Sequence, residues 1–420
     1  MPKIKFIKIP VAVVLLTIMF GVILAFNLSI KANQQFIYLA DSFSKGRLDF
    51  QEKHLNFLTV RKNDYGLIWT DTAEWQGKKY WPLGPFPALL LVLPVKLFGT
   101  KFLQGYLSFA LTLLNFFLLW SISRRQKFRV FDALFLAAFF IFGSAYLGVA
   151  TFSVSWYFGQ IVAITLLLLA LYEYLRHIPE VRPQTEVGPL EIRWWLIGLY
   201  LALAIITRNT FLFTSLFFVI MIFFEKKSLK IKLKNLFLFS SYILASIFLI
   251  LLYNWARFGN PLEGGYNLQE IPPVLARARE IGLFSFKHIP GNLYFMLFRS
   301  PDPVLALPDT YILKYPYITA NIWGLGIFFT APVLLYIFNA SSRDREIRAL
   351  TVTSLITLIP IITYYGIGVS QIGYRYILDI YPLLYVILGK ALTPRLPLKA
   401  KILIVLGIIL NWHLLLNFKS

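Results

Sequence analysis

The sequence predicts an all-α polytopic membrane protein. It expects about eleven transmembrane helices, at ~20 residues each, and amphipathic juxtamembrane helices in the first external loop. Three observations predict this. Of the 420 residues, 58% are hydrophobic and 17% aromatic, with a mean hydropathy of +0.67. Soluble domains hold about 45–50% apolar residues, so an aqueous fold has no interior large enough for this chain. Apolar runs recur along the whole length, and Lys and Arg gather at alternate ends of them.

The elements follow in order. Lys3, Lys5 and Lys8 precede the first span, Ile9 to Ile30, and place the N-terminus in the cytoplasm. Its apolar run exceeds the ~7–15 residues of a signal-peptide core, so it reads as an uncleaved span. Residues 31–101 form the first external loop. Further spans are expected at about 102–122, 131–150 and 157–175. The stretch 194–224 divides at Thr207-Arg208-Asn209, because "EKKSLKIKLK" must then lie in the cytoplasm. A span at 236–253 leads to a second external loop or cap, 254–317. Spans at 318–338, 349–368, 377–388 and 402–416 complete the single domain, 1–420. The six cytoplasmic segments carry 22 of the 41 Lys and Arg residues.

Several function classes are excluded. The formal charge is +21, but the basic residues cap apolar spans and form no stripe for nucleic acid. No cysteine is present, which removes disulfides, thiolate metal sites and cysteine nucleophiles. The four histidines have no zinc-site spacing.

The polar residues of the external loops carry the chemistry. In "NQQFIYLADSFSKG", Phe36, Leu39, Ala40 and Phe43 share one helical face. This reads as an interfacial helix stopped by Gly46, with Asp41 turned to water. Asp41 is then either an ordinary solvated carboxylate or a functional one. Next, "DTAEWQGKKYWPLGPFPALLLVLPVKLFG" places Asp71, Glu74 and Tyr80 around a turn at Gly77. The apolar run from Ala88 to Phe98, interrupted by Pro94, is too short to span and reads as re-entrant or interfacial. Arg208 between two apolar runs needs a distant partner, a lipid phosphate or the interface. Arg257 and Glu263 follow the 236–253 span. In "SQIGYRYILDIYPLL", Asp379 lies four residues after Arg375, and the two either pair with each other or serve a site. Four separated stretches thus bring carboxylates and arginines to one side of the membrane. Arginine suits phosphate, and a carboxylate suits a general base or a hard cation.

At these stretches the chain resembles the GT-C superfamily of integral-membrane glycosyltransferases. It is similar to bacterial proteins of the protein-O-mannosyltransferase and lipid A aminoarabinose transferase kinds. The stretches are "YLADSFSKGRLDF", "GKKYWPLGPFPALLLVLP", "GLYLALAIITRN", "YNWARFGNPLEGGY" and "GYRYILDIYPLL". The resemblance implies inverting transfer of a hexose or pentose from a polyprenyl-phosphate donor to a lipid, glycan or protein acceptor. The site would face outward from a multi-pass protein of the cell membrane. The resemblance also implies a base on the first external loop. Asp41 matches it best, with Asp71 and Asp49 as rivals. Arg375, Arg257 and Arg208 are the implied partners of the donor phosphate. Glu74, Tyr80, Glu263, Tyr374 and Asp379 are further cavity candidates.

Two departures concern a divalent cation, Mg²⁺ or Mn²⁺. No paired acidic motif follows the first span, and "ATFSVSWYFGQ" lacks an acidic residue. No metal ligands are therefore assigned. A lipid or polysaccharide transporter and a non-catalytic membrane protein are the alternative functions. A transporter would favour charges deep in several spans and internal repeats, which the sequence does not display.

Overall fold

Residues 5–58, 70–177 and 191–418 are described by the structure, a computed structural model. The first half runs α1 (Lys5–Ser29), α2 (Gln35–Phe43), the hairpin β1 (Ala73–Trp75) and β2 (Lys78–Tyr80), α3 (Phe86–Phe98), α4 (Gln104–Arg125), α5 (Val130–Phe142), α6 (Tyr146–Thr151) and α7 (Ser155–Leu175). It continues with α8 (Trp194–Thr207), α9 (Phe211–Phe224), α10 (Leu229–Phe258), α11 (Pro273–Glu280), α12 (Ile289–Leu293) and a second hairpin, β3 (Asp302–Leu305) and β4 (Leu313–Thr319). The last helices are α13 (Ile327–Thr330), α14 (Arg345–Thr363), α15 (Tyr381–Leu392) and α16 (Leu398–Leu416).

Among the described residues, six helices are long and apolar enough to cross a membrane: α1, α4, α7, α10, α14 and α16. The chain is a multi-pass membrane protein. Four further apolar helices, α5, α8, α9 and α15, are shorter. The break expected at 207–209 is present between α8 and α9. The expected span 131–150 is divided by Gly143 and Ser144 into α5 and α6. The expected span 318–338 is corrected. Its start is the end of β4, and a helical stretch begins only at Ile327. Gly324 stands at φ +84°, outside the helical range, so no helix runs through this position.

Burial decides which helices face lipid. α7 is apolar all round and almost every residue of it is buried, so it forms the centre of the bundle. It packs between α4 and α8, and α10 lies across α8. Gly198 permits that crossing, because a β-carbon there would lie 2.4 Å from the Phe239 carbonyl. α3 is a 13-residue helix with Leu89, Leu90, Leu93 and Leu97 exposed. At about 20 Å it cannot cross a hydrocarbon layer, which agrees with an interfacial position.

α2 is corrected in one respect. Its apolar face does not lie on lipid but is buried in protein. Phe36 meets Trp81 and Phe158 edge-on, with ring centroids 5.8 and 6.0 Å apart. The ends of several helices converge here. The Asn33 carbonyl accepts from Ser155 N at the start of α7. Phe152 joins Phe26 of α1 to Phe418 beyond α16. The Trp81 carbonyl reaches Arg257 in the last turn of α10.

Candidate active site

Two loops distant in sequence are zipped together above these helix ends. Glu74 N donates to the Leu268 carbonyl and Glu270 N to the Thr72 carbonyl, so residues 268–270 extend the β1–β2 hairpin. Gln269 Nε2 donates to the Asp71 carbonyl at 3.1 Å, and Thr70 Oγ1 to Glu270 Oε2 at 2.6 Å. Asp71 is thereby held at φ +52°, a left-handed conformation that Asp tolerates better than most residues. Its side chain is half-buried, and among the described residues its carboxylate accepts no hydrogen bond. Burial pushes the Asp71 carboxyl up to about 7, against the opposing charge of Arg375 and with that of Glu270.

Of the three predicted arginines, Arg375 is the one whose charge acts on Asp71, whereas Arg208 and Arg257 line a cleft with Tyr253 and Tyr266. Arg375 is buried between two tyrosines, 4.9 Å from the Tyr157 ring and 5.1 Å from that of Tyr376. Gln160 Nε2 fixes its backbone by donating to the Arg375 carbonyl at 2.6 Å. Among the described residues Arg375 pairs with no carboxylate, and its Nε has no partner. Arg257 is alike. It donates to the Trp81 carbonyl and to Asn254 Oδ1, lies 3.9 Å from the Tyr253 ring, and meets no carboxylate among the described residues. Its neighbour Glu263 instead accepts from Gly265 N and Asn267 within its own turn. Aromatic faces partly compensate such cations. A buried cation without a counter-ion still costs several kcal/mol, which an arriving anion would offset.

Arg208 is the paired member of the three. Its Nε and one terminal nitrogen donate to Asp379, the latter at 2.9 Å. Asp379 is fully buried and also accepts from Thr210 Oγ1 at 2.6 Å. The Arg375–Asp379 pair suggested by sequence is therefore corrected. Residues 375–379 form a 3-10 turn, where three residues complete a turn and positions four apart point in different directions. The Tyr376 ring meets both Arg375, at 5.1 Å, and Arg208, at 5.9 Å.

The loop of Pro82, Gly84 and Pro85 lines the cleft together with Arg208, Arg257 and Tyr266. Gly84 lies against the end of α8, where a β-carbon would come within 1.9 Å of the Ile206 carbonyl. Gly84→Ala is expected to push this loop from α8 and cost about 1–3 kcal/mol of stability, the range for overpacking. A melting experiment in detergent would check it.

The remaining predicted residues lie elsewhere. Asp41 Oδ2 accepts from Lys45 Nζ at 3.2 Å, Gln51 Nε2 at 2.9 Å, Lys53 Nζ at 2.7 Å and His54 Nε2 at 2.8 Å. Burial alone would raise its pKa. The hydrogen bonds from Lys53, His54 and Lys45 outweigh burial and hold the carboxyl below the usual range. None of the three arginines is among its partners. Asp49 pairs with Arg47 at 2.5 Å. Glu74 is exposed and faces Lys79 at 3.8 Å. Tyr80 packs on Phe258, and Tyr374 donates to Asn292 Oδ1.

Sequence reasoning did not single out Tyr157, Gln160, Tyr266, Glu270 or Tyr376. Gln160 carried a signal, being a lone amide inside an apolar span. Among the described residues no three His, Asp or Glu side chains could hold a metal ion. Asp41, the most liganded carboxylate, faces lysines.

No protein-family profile and no curated protein matches the chain. Two solved structures do. ArnT from Cupriavidus metallidurans in the apo state is 14% identical, with a TM-score of 0.47 over 92% of this chain and 59% of that one. ArnT from the same organism bound to undecaprenyl phosphate is 13% identical, with a TM-score of 0.48 over 92% and 60%. The chain spans about three fifths of the length of these proteins.

Proposed function

We propose that this chain is a membrane glycosyltransferase of the GT-C kind, moving a sugar from a polyprenyl-phosphate donor to an acceptor at the outer face of the cell membrane. One observation carries the reading. The half-buried Asp71 carboxyl accepts no hydrogen bond among the described residues and is pushed up to about 7 by burial, against the charge of Arg375, a buried cation that has no carboxylate partner among the described residues. The first is the condition for a general base, the second for a phosphate site.

In this mechanism Asp71 takes the proton of an acceptor hydroxyl or amine. The freed electron pair attacks the anomeric carbon, and the bond from that carbon to the phosphate oxygen breaks. The bonding pair leaves on the phosphate, and one displacement inverts the anomeric centre. Arg375 and Arg257 stabilise the growing charge, with the greatest effect where water is excluded. Asp379 holds Arg208 in the cleft that Arg257 also lines. Asp71 replaces Asp41 as the preferred base, because four donors already occupy the Asp41 carboxylate.

The test is reconstitution with labelled polyprenyl-phosphate sugars and a membrane-extract acceptor. Label is expected in the acceptor. Movement of the lipid between leaflets without transfer would overturn the reading.

Asp41→Asn is expected to retain transfer. It should lose about 1 kcal/mol of stability, a small amount because Lys45 and Lys53 are half exposed and solvent-screened. The folded pKa of Asp41 is depressed, so its contribution is present above the unfolded value of about 3.9 and is lost as pH falls through the folded one. The melting difference between protein and variant should therefore hold at neutral pH and close in acid.

A further inference from the structure

The hairpin β3–β4 carries an apolar surface that the site does not use. Its strands pair antiparallel, with Asp302 opposite Thr319 and Leu305 opposite Leu313. Ile318 of β4 packs on the core, while Leu313, Tyr315 and Tyr317 are exposed. Tyr315 and Tyr317 touch edge to face at 6.2 Å. Beyond the strand, Tyr311 is 92% exposed and Ile312 is 50% exposed. So large an uncovered aromatic surface marks an interaction site.

The contacts of the hairpin indicate what covers it. His413 Nε2 lies 2.9 Å from the Pro316 carbonyl. His413 stands three residues before the end of α16, hence about 4.5 Å along the axis from that end. α16 is long and apolar enough to cross the bilayer, and its Ile402, Leu406 and Ile409 are exposed, as lipid-facing residues are. The hairpin is thus tied to a membrane-crossing helix within one turn of its end. That is the level of the lipid headgroups, where Tyr is favoured for its apolar ring and polar tip. The exposed Lys314, next to Tyr315 in the strand, suits the phosphate of a lipid headgroup.

We infer that the 311–317 face of this hairpin is inserted into the headgroup–acyl interface of the bilayer. The occupant is phospholipid, not a protein partner. The contact also bears on the wall of the candidate site. The chain continues from β4 to Leu325, which bridges to Gly373, two residues before Arg375. The inference rests on the crossing of α16 and not on sugar transfer.

Because the chain has no cysteine, Tyr311→Cys and Tyr315→Cys each provide one labelling site. Glu52→Cys, on an exposed turn, is the aqueous reference. Each variant of the full chain is labelled with an environment-sensitive fluorophore in phosphatidylcholine vesicles. Gel filtration of each confirms folding. Headgroup-region nitroxide lipids are expected to quench positions 311 and 315 several-fold more than position 52, and aqueous iodide several-fold less. Iodide quenching equal to that at position 52 would overturn the inference. Shielding from iodide without lipid quenching would overturn it too, because it would indicate a protein partner.

Discussion

Replacing Asp71 by Asn is expected to lower the transfer rate about a hundredfold or more, the usual contribution of a positioned general base. The base acts only when ionised, and its carboxyl is pushed up to about 7 by burial. Transfer by the unaltered protein should therefore rise with pH up to about 7 and level off above it. The Asn variant should show no such limb. A loss of fold can be told from a loss of chemistry by its sign. A group whose folded pKa is raised contributes stability below its unfolded pKa and loses it as pH rises through the folded one. Removing the charge should therefore leave the melting temperature at pH 8 unchanged or higher. Asn also tolerates the left-handed φ of +52° at this position. Undiminished transfer in the variant, with the pH limb intact, would remove Asp71 from the mechanism.

Replacing Arg375 by Ala is expected to cost about 100–1000-fold in transfer, as loss of one preorganised charge-stabilising group does elsewhere. Arg375→Lys should fall between the two. Lysine restores the charge but not the planar fork or the stacking between Tyr157 and Tyr376. Free polyprenyl phosphate should raise the melting temperature of the unaltered protein by mass action. That rise should shrink in Arg375→Lys and vanish in Arg375→Ala. Equal protection of all three by the lipid phosphate would show that the anion does not sit at Arg375.

These expectations separate what was legible in the sequence from what was not. Hydropathy identified the membrane character, and the polar triplet 207–209 marked the division between α8 and α9. The same local signal failed at 318–338, where composition is apolar but Gly324 stands outside the helical range. All three arginines could be found, because a charge beside apolar runs is costly and visible. Their partners could not. Asp379 lies four residues from Arg375 and 171 from Arg208, yet it bonds to the distant one. A 3-10 turn rotates it away from the nearer residue, and the packing of α8 brings the farther one to it.

The same reason governs the choice between carboxylates. Asp41 and Asp71 both follow the first span, and the resemblance favours Asp41. Only the folded chain loads Asp41 with Lys45, Gln51, Lys53 and His54, and leaves Asp71 unbonded among the described residues. The sequence by itself determined the solvent of this protein, through apolar content, and which residue types end its spans. The tertiary structure alone decided which charges are neutralised. Hydrophobicity acts residue by residue, whereas the state of an ionised group depends on everything that packing brings within a few ångströms of it.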